Sequence, residues 1–239
     1  MRTCPPLLLL RVALTLTVLV LLQACATLGD WPGEMTSSGS DARIEAGLKE
    51  ALELGSQRAV TRLGRVDGYF ADPEFRIPLP EAIEPAASQL RRVGFSRQID
   101  ELELAMNRAA EQAATEAAAV FIQAIRGLRP GDASAILNGG DDAATRFLRQ
   151  TAGPTLRDRY RPVVANALAQ VQAYQHYREL AERWNRLPAV RPLDFDLEDY
   201  VTERALEGLF QALADEERRI RRDPLARTTA LLREVFGGA

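Results

Sequence analysis

Asn107 and Glu111 stand one helical turn apart in a stretch whose other inward positions are Ala, Leu, Ile and Phe. Taking 100° per residue from Met106, Leu102, Leu104, Ala110, Ala113, Ala117, Phe121, Ile122 and Ile125 fill an arc of about 200°, and Glu103, Asn107 and Glu111 fall inside it. Arg108, Gln112, Glu101 and Arg126 lie opposite, toward water. A carboxylate enclosed on such a face must be paired or neutralised, because desolvating it alone costs several kcal/mol. Glu216 repeats the pattern among Val201, Ala205, Leu209, Leu213 and Ile220, and Arg227 offers a countercharge. Asn107, Glu111, Glu216 and Arg227 therefore make a candidate polar pocket. The competing reading is a satisfied ion pair or amide bond that sets helix register.

Asp141 and Asp142 follow the break Asn138-Gly139-Gly140 and are candidate ligands for a hard cation or a substrate. Equally, Asp141 can cap the next helix while Asp142 favours its positive end, together worth about 1–2 kcal/mol. Glu111, Asp142 and Glu216 define an enzymatic alternative, in which they act as hard-oxygen ligands or as acid and base. Asp194, Asp196 and Glu198 resemble the opening of a calcium loop, but positions six and twelve hold Asp199 and Ala205 where Gly and Glu are needed. His176, with Glu179 three residues on, reads as a pair at a surface edge, since a lone His cannot build a zinc site without Cys. Arg218, Arg219, Arg221 and Arg222 look basic, yet Asp215–Arg219 and Glu217–Arg221 are i,i+4 pairs on what reads as a solvated face. No phosphate loop, nucleophile elbow or zinc-protease motif occurs in the sequence. No catalytic residue, metal ligand or cofactor is assigned, and the balance leans away from an enzyme.

The chain has 239 residues, 46% hydrophobic and 26% charged, which suits a globular protein. Its net charge is -3, and Lys49 is the sole Lys among 30 cations, so a nucleic-acid partner is not expected. Arg2 leads into an apolar stretch whose uninterrupted part, Val12 to Leu22, is 11 residues long. A helix needs about 20 apolar residues to cross a bilayer, so residues 1–24 read as an export signal. The ending Leu22-Gln23-Ala24-Cys25 resembles the lipobox of bacterial lipoproteins, in which the Cys becomes the acylated first residue. Acyl chains such as palmitate contribute about 0.8 kcal/mol per buried methylene. Cys25 is then the lipidation site and the membrane is a partner through that anchor. Ala26 stands where the inner-membrane retention signal of this class usually has Asp, so the expected location is the outer membrane, facing the periplasm. Cleavage would leave 28 cations against 33 anions and a single Cys, which excludes an intramolecular disulfide.

Residues 25–40 read as the lipidated Cys25 and a flexible tether, whose 15 residues from Ala26 span roughly 20 Å. Residues 41–239 read as a single elongated all-α domain. Asp41 is an N-cap for a helix carrying Ile44, Leu48, Leu52, Gly55, Ala59 and Leu63 on one face. An irregular segment to Pro80, a short helix over 81–93 and a long one over 96–129 follow. Those 34 residues would extend about 50 Å, whereas a compact domain of this size has a radius of gyration of roughly 16 Å, so the domain is elongated or the helix bends. A helix from Asp141 is expected to break at Gly153-Pro154 and near Pro162, then continue to Arg186. After the linker Leu187 to Pro192 come helices over 198–222 and from Pro224 to Phe236. Thr228 and Thr229 fall on the inner side of the last one, and Phe75 to Leu79 could pair briefly with Asp194 to Leu197.

Several of these segments resemble an uncharacterised bacterial family, domain of unknown function 4197. They are Asp67-Gly68-Tyr69-Phe70, Ile77-Pro78-Leu79-Pro80, Met106-Asn107-Arg108-Ala109-Ala110-Glu111, Ile136-Leu137-Asn138-Gly139 leading into Asp141-Asp142-Ala143-Ala144-Thr145, Tyr200-Val201-Thr202 and Arg227-Thr228-Thr229. The resemblance covers roughly Ile44 to Phe236 and implies an exported helical protein, often lipid-anchored, with no established substrate. The function expected is a non-catalytic envelope lipoprotein that binds an envelope protein or a small apolar ligand between its helices. The alternative is a carboxylate- or metal-dependent periplasmic enzyme.

Overall fold

Eight α-helices and one 3-10 turn make up the computed structural model, which describes residues 35–237; the signal, Cys25 and the tether up to Glu34 lie outside the described residues. The helices are α1 (Met35–Leu63), α2 (Glu84–Arg92), α3 (Ser96–Arg126), α4 (Pro130–Leu137), α5 (Ala143–Gln170), α6 (Ala173–Asn185), α7 (Leu197–Arg222) and α8 (Ala230–Phe236), with the 3-10 turn at Pro224–Ala226. The fold is all-α. Among the described residues there is no strand, so the pairing expected between Phe75–Leu79 and Asp194–Leu197 does not form. No helix of the described residues is long and apolar enough to cross a membrane.

Asp41–Ala239 form one compact unit. At its centre lies α3, which packs against α2, α5, α6 and α7. Its alanines explain why so many helices can approach: Ala109, Ala110, Ala113, Ala114 and Ala117 are buried, and small side chains let neighbouring backbones come close. Larger side chains fill the spaces between them, with Phe121 meeting Phe210 edge to face at 5.3 Å between ring centroids. Leu48, Leu52 and Leu63 of α1 are buried, and its Gly55 lies against Leu213 of α7.

Four boundaries differ from those the sequence suggests. The first helix starts at Met35 rather than at an Asp41 cap; Thr36 to Ser40 contains no Pro to forbid helix, and its Ser, Thr and Gly residues only weaken it, Gly39 most, by about 1 kcal/mol. No break occurs at Gly153-Pro154 or Pro162, and α5 runs through both. Both prolines are exposed, as are Gln150 and Asp158 four residues before them, so the carbonyls that lose their helical donor face water. Leu148, Leu156, Tyr160, Val164 and Leu168 on the opposite face are buried and hold the helix together. The real break comes at Gln172, whose left-handed φ of 59° separates α5 from α6. Finally, the segment after Asp223 is two pieces. Asp223 accepts from the Leu225 backbone N–H and caps the 3-10 turn, and Thr229 accepts from the Leu232 N–H at 3.1 Å and caps α8. Thr229 is thus a helix start and not an inner-face residue.

All five tyrosines, Tyr69, Tyr160, Tyr174, Tyr177 and Tyr200, have phenols pushed above their ordinary range, chiefly by burial. Tyr174 is pushed up to about 12 by burial and by the Glu198 carboxylate that accepts its hydroxyl. A phenol that resists ionisation in the folded state but ionises near pH 10 when unfolded stabilises the fold fully below pH 10, and that contribution is lost as pH rises through the folded values. Tyrosinate absorbance should therefore lag behind free tyrosine in an alkaline titration and emerge together with loss of helical circular dichroism. A smooth titration near pH 10 with the helices intact would contradict the burial of these phenols.

Candidate functional site

Four of the six buried polar residues, Asn107, Glu111, Thr145 and Glu217, fall into two separate knots, whereas the buried hydroxyls of Ser56 and Thr202 have no hydrogen-bond partner among the described residues. In the first, the segment between α1 and α2 is clamped onto α3. Asp67 adopts the left-handed conformation, with φ 66°, which Asp tolerates better than most residues. Gly68 follows it, and a Cβ there would run into the carbonyl oxygens of Leu63 and Arg62, so the turn requires Gly. This turn aims two successive backbone N–H groups at one acceptor: Tyr69 and Phe70 donate to Glu111 Oε1 at 3.2 and 3.1 Å. Glu111 Oε2 takes Arg108 Nη1 at 2.6 Å, and Arg108 Nη2 reaches Asp67 at 2.8 Å. Arg108 is accordingly half-buried, not turned to water as its helical position suggests.

One turn earlier on α3, Asn107 clasps Ile77. The Ile77 N–H donates to Asn107 Oδ1 at 2.9 Å, and Asn107 Nδ2 donates to the carbonyls of Ile77 and Glu103, both at 2.8 Å. Ile77-Pro78-Leu79-Pro80 cannot pair as a strand, since prolines carry no N–H. The amide supplies the partner that a neighbouring strand would have supplied. Glu103, the third polar residue of the arc, reaches Arg76 at 2.9 Å.

Tyr69 is fully buried, and its hydroxyl donates to the Ala205 carbonyl of α7 at 2.7 Å. Gly208 makes room for the ring: a Cβ there would lie 2.8 Å from Tyr69 Cε1. By propensity alone Gly208→Ala in mid-helix should stabilise by about 0.5–1 kcal/mol. The collision reverses the sign, and urea unfolding should show a loss of about 1–3 kcal/mol. A gain in stability would mean that Tyr69 does not pack there.

The second knot joins α7 to the N-terminus of α5 and to α4, and its centre is Glu217, with 6% of its side chain exposed. Glu217 accepts from the backbone N–H groups of Ala144 and Thr145 at 3.0 and 2.8 Å and from the Thr145 hydroxyl at 2.7 Å. Arg221 meets the same carboxylate at 2.9 Å and donates to the carbonyls of Ile136 and Leu137, both at 3.0 Å. Ala144 and Thr145 are the second and third residues of α5, whose N–H groups a local cap normally satisfies. Asp142 holds the cap position without bonding them, pairing instead with Arg146 at 3.1 Å. Asp141 does not cap either: it pairs with Arg222, which lowers its carboxyl below the ordinary range. A carboxylate from another helix therefore caps α5.

This placement corrects the sequence reading at several residues. Glu216 is not the enclosed carboxylate of α7; it lies at the helix edge, 3.2 Å from Arg58 and 3.6 Å from Arg219. Glu217 is buried and Arg221 is part-buried, with 10% of its side chain exposed, rather than both lying on a solvated face. The signal that favours Glu217 is its register with Leu206 and Phe210, both buried, which turns the apolar arc one residue further round. Arg227 is no countercharge to Glu111, because its guanidinium donates to the carbonyls of Ile220 and Arg221 and closes the end of α7. The four residues Asn107, Glu111, Glu216 and Arg227 thus do not form one pocket. Nor are Glu111, Asp142 and Glu216 brought together: each is engaged with a different arginine. Among the described residues no three His, Cys, Asp or Glu side chains are grouped to hold a metal ion.

Asp196 accepts from the Asp199 N–H at 2.9 Å and caps α7, and Arg161 reaches both Asp196 and Glu198. His176 lies 4.0 Å from Glu101 of α3, and Glu179 takes Gln175 and Arg183 instead.

The segments singled out in the sequence meet in space. Residues 67–70, 77–80 and 106–111 build the first knot, while 136–137, 144–145 and α7 build the second. A family model described as Protein of unknown function (DUF4197) matches residues 38–237, and the chain belongs to that family. No curated protein and no solved structure matches the chain.

Proposed function

We propose that this member of the DUF4197 family is a lipoprotein held to the outer membrane by acylated Cys25, facing the periplasm, and that its helical unit is a non-catalytic interaction module for an envelope protein. The observation that carries the non-catalytic part is the saturation of the enclosed amide and carboxylate side chains; the hydroxyls of Ser56, Thr202 and Tyr160, which are also buried, have no hydrogen-bond partner among the described residues. Asn107, Glu111 and Glu217 are all engaged with backbone groups of the chain itself, so they position helices and have no proton or metal duty left to perform. An apolar small molecule fits the interior less well than a protein fits the surface. The enclosed apolar cavity lined by Leu48, Leu52, Leu213, Ile220 and Phe236 measures about 10 Å³, barely one water. Cys25 and Ala26 support the anchor and its outer-membrane address.

Two measurements test this reading. Intact mass of the native protein should show acyl groups that Cys25→Ser abolishes, together with its retention in the outer membrane. Cross-linking in cells followed by detergent release should recover a specific protein partner. An unacylated native chain overturns the anchor, and a clean monomer with no partner overturns the interaction module.

A further inference from the structure

We propose that the cleft between α3 and α5 binds an extended peptide segment carrying a basic side chain. This deepens the interaction-module reading and rests on it. The cleft measures about 570 Å³, within the range of ligand sites, with Gln112 and Glu116 on one wall, Asn166 and Gln170 on the other, and buried Ala113 and Ala167 as its floor. What distinguishes it is the state of its polar groups. None of those four wall side chains has a hydrogen-bond or ion-pair partner among the described residues. In the cleft beside Gly208, by contrast, the polar groups are spent on the protein: Gln211 on Glu74 at 3.0 Å, Arg204 on Glu207 at 2.9 Å and Arg76 on Glu103 at 2.9 Å.

Peptide is the chemistry that fits. A side-chain amide donates and accepts at once, as a peptide group does. Residues four apart on a helix rise about 6 Å, close to the two-residue repeat of an extended chain at about 6.5 Å. Gln112 and Glu116, like Asn166 and Gln170, are so spaced, and each wall can meet alternate peptide groups of one bound segment. The chain already makes this contact once, where Asn107, five residues before Gln112 on α3, holds both the N–H and the carbonyl of extended Ile77. The carboxylate of Glu116 selects a cationic side chain. No aromatic residue lines the cleft to stack on a sugar ring, and the small floor lets a backbone lie close.

The test uses the full acylated chain in detergent micelles. Its probe is a blocked six-residue alanine peptide with one central arginine, followed by fluorescence anisotropy. Saturable binding should weaken about tenfold in the double variant N166A/Q170A and about tenfold for a peptide in which two amides are replaced by esters, while Gln211→Ala leaves it unchanged. All three substituted side chains are exposed, and circular dichroism verifies that the helices persist. Absence of saturable binding, equal binding to the double variant, or displacement of the peptide by an N-acetylglucosamine tetramer at equal concentration overturns the proposal. A photo-cross-linker at position 170 separates the two readings. If cells yield a partner protein that this position never captures, the cleft assignment falls and the interaction module stands. If they yield no partner at all, both fall.

Discussion

Glu217→Ala should destabilise the helical unit by about 3–5 kcal/mol, the usual consequence of removing one member of a buried, hydrogen-bonded charge pair. The substitution leaves Arg221, with 10% of its side chain exposed, facing no carboxylate, and leaves the Ala144 and Thr145 N–H groups without an acceptor at the positive end of α5. For a unit of this size each kcal/mol lowers the midpoint by about 2–4 °C, so a thermal melt should fall by on the order of 10 °C. The paired variant Glu217→Leu with Arg221→Met should recover part of the loss, because it removes the uncompensated charge as well as its partner. A single variant that melts within a degree or two of the parent would show that the carboxylate is not holding α5, α4 and α7 together.

Glu111→Ala should cost somewhat less, about 2–4 kcal/mol, since Arg108 keeps Asp67 as a partner while the Tyr69 and Phe70 N–H groups lose theirs. Its effect should be local as well as global. Amide hydrogen exchange at Tyr69 and Phe70 should accelerate together with that of Ile77, because the turn and the proline segment are clamped to the same helix by adjacent side chains. Glu111→Gln retains one acceptor oxygen and should recover roughly half of the loss. Unchanged exchange at Tyr69 and Phe70 in the Ala variant would break the assignment.

The two carboxylates illustrate how far periodicity reaches. Glu111 was legible because its neighbours on the inner face, Met106, Ala110 and Ala114, leave it no exposed position, and all three are buried. Glu217 was not, because Glu216 and Glu217 both fit a stripe drawn through Leu213 and Ile220, and a 100° step decides between them only when Leu206 and Phe210 are counted as inner residues. Arg108 failed for a different reason. Its helix position faces outward, but the turn at Asp67 folds over it, and nothing within α3 announces that cover. The local chemistry of Pro154 and Pro162 favours breaks, but the burial of Leu156, Tyr160 and Val164 on the other face outweighs it.

From its residues alone the chain determines that it is helical, where its apolar faces lie, and that Asn107 and Glu111 are enclosed, because helical periodicity and the cost of desolvation act within one segment. Which groups those side chains meet was decided by tertiary structure only. The acceptors and donors come from segments far along the chain, Tyr69 and Phe70 for Glu111 and Ala144 and Thr145 for Glu217. Docking of the helices brings them within 3.2 Å and spends on the backbone the polar atoms that the linear pattern had left open for chemistry.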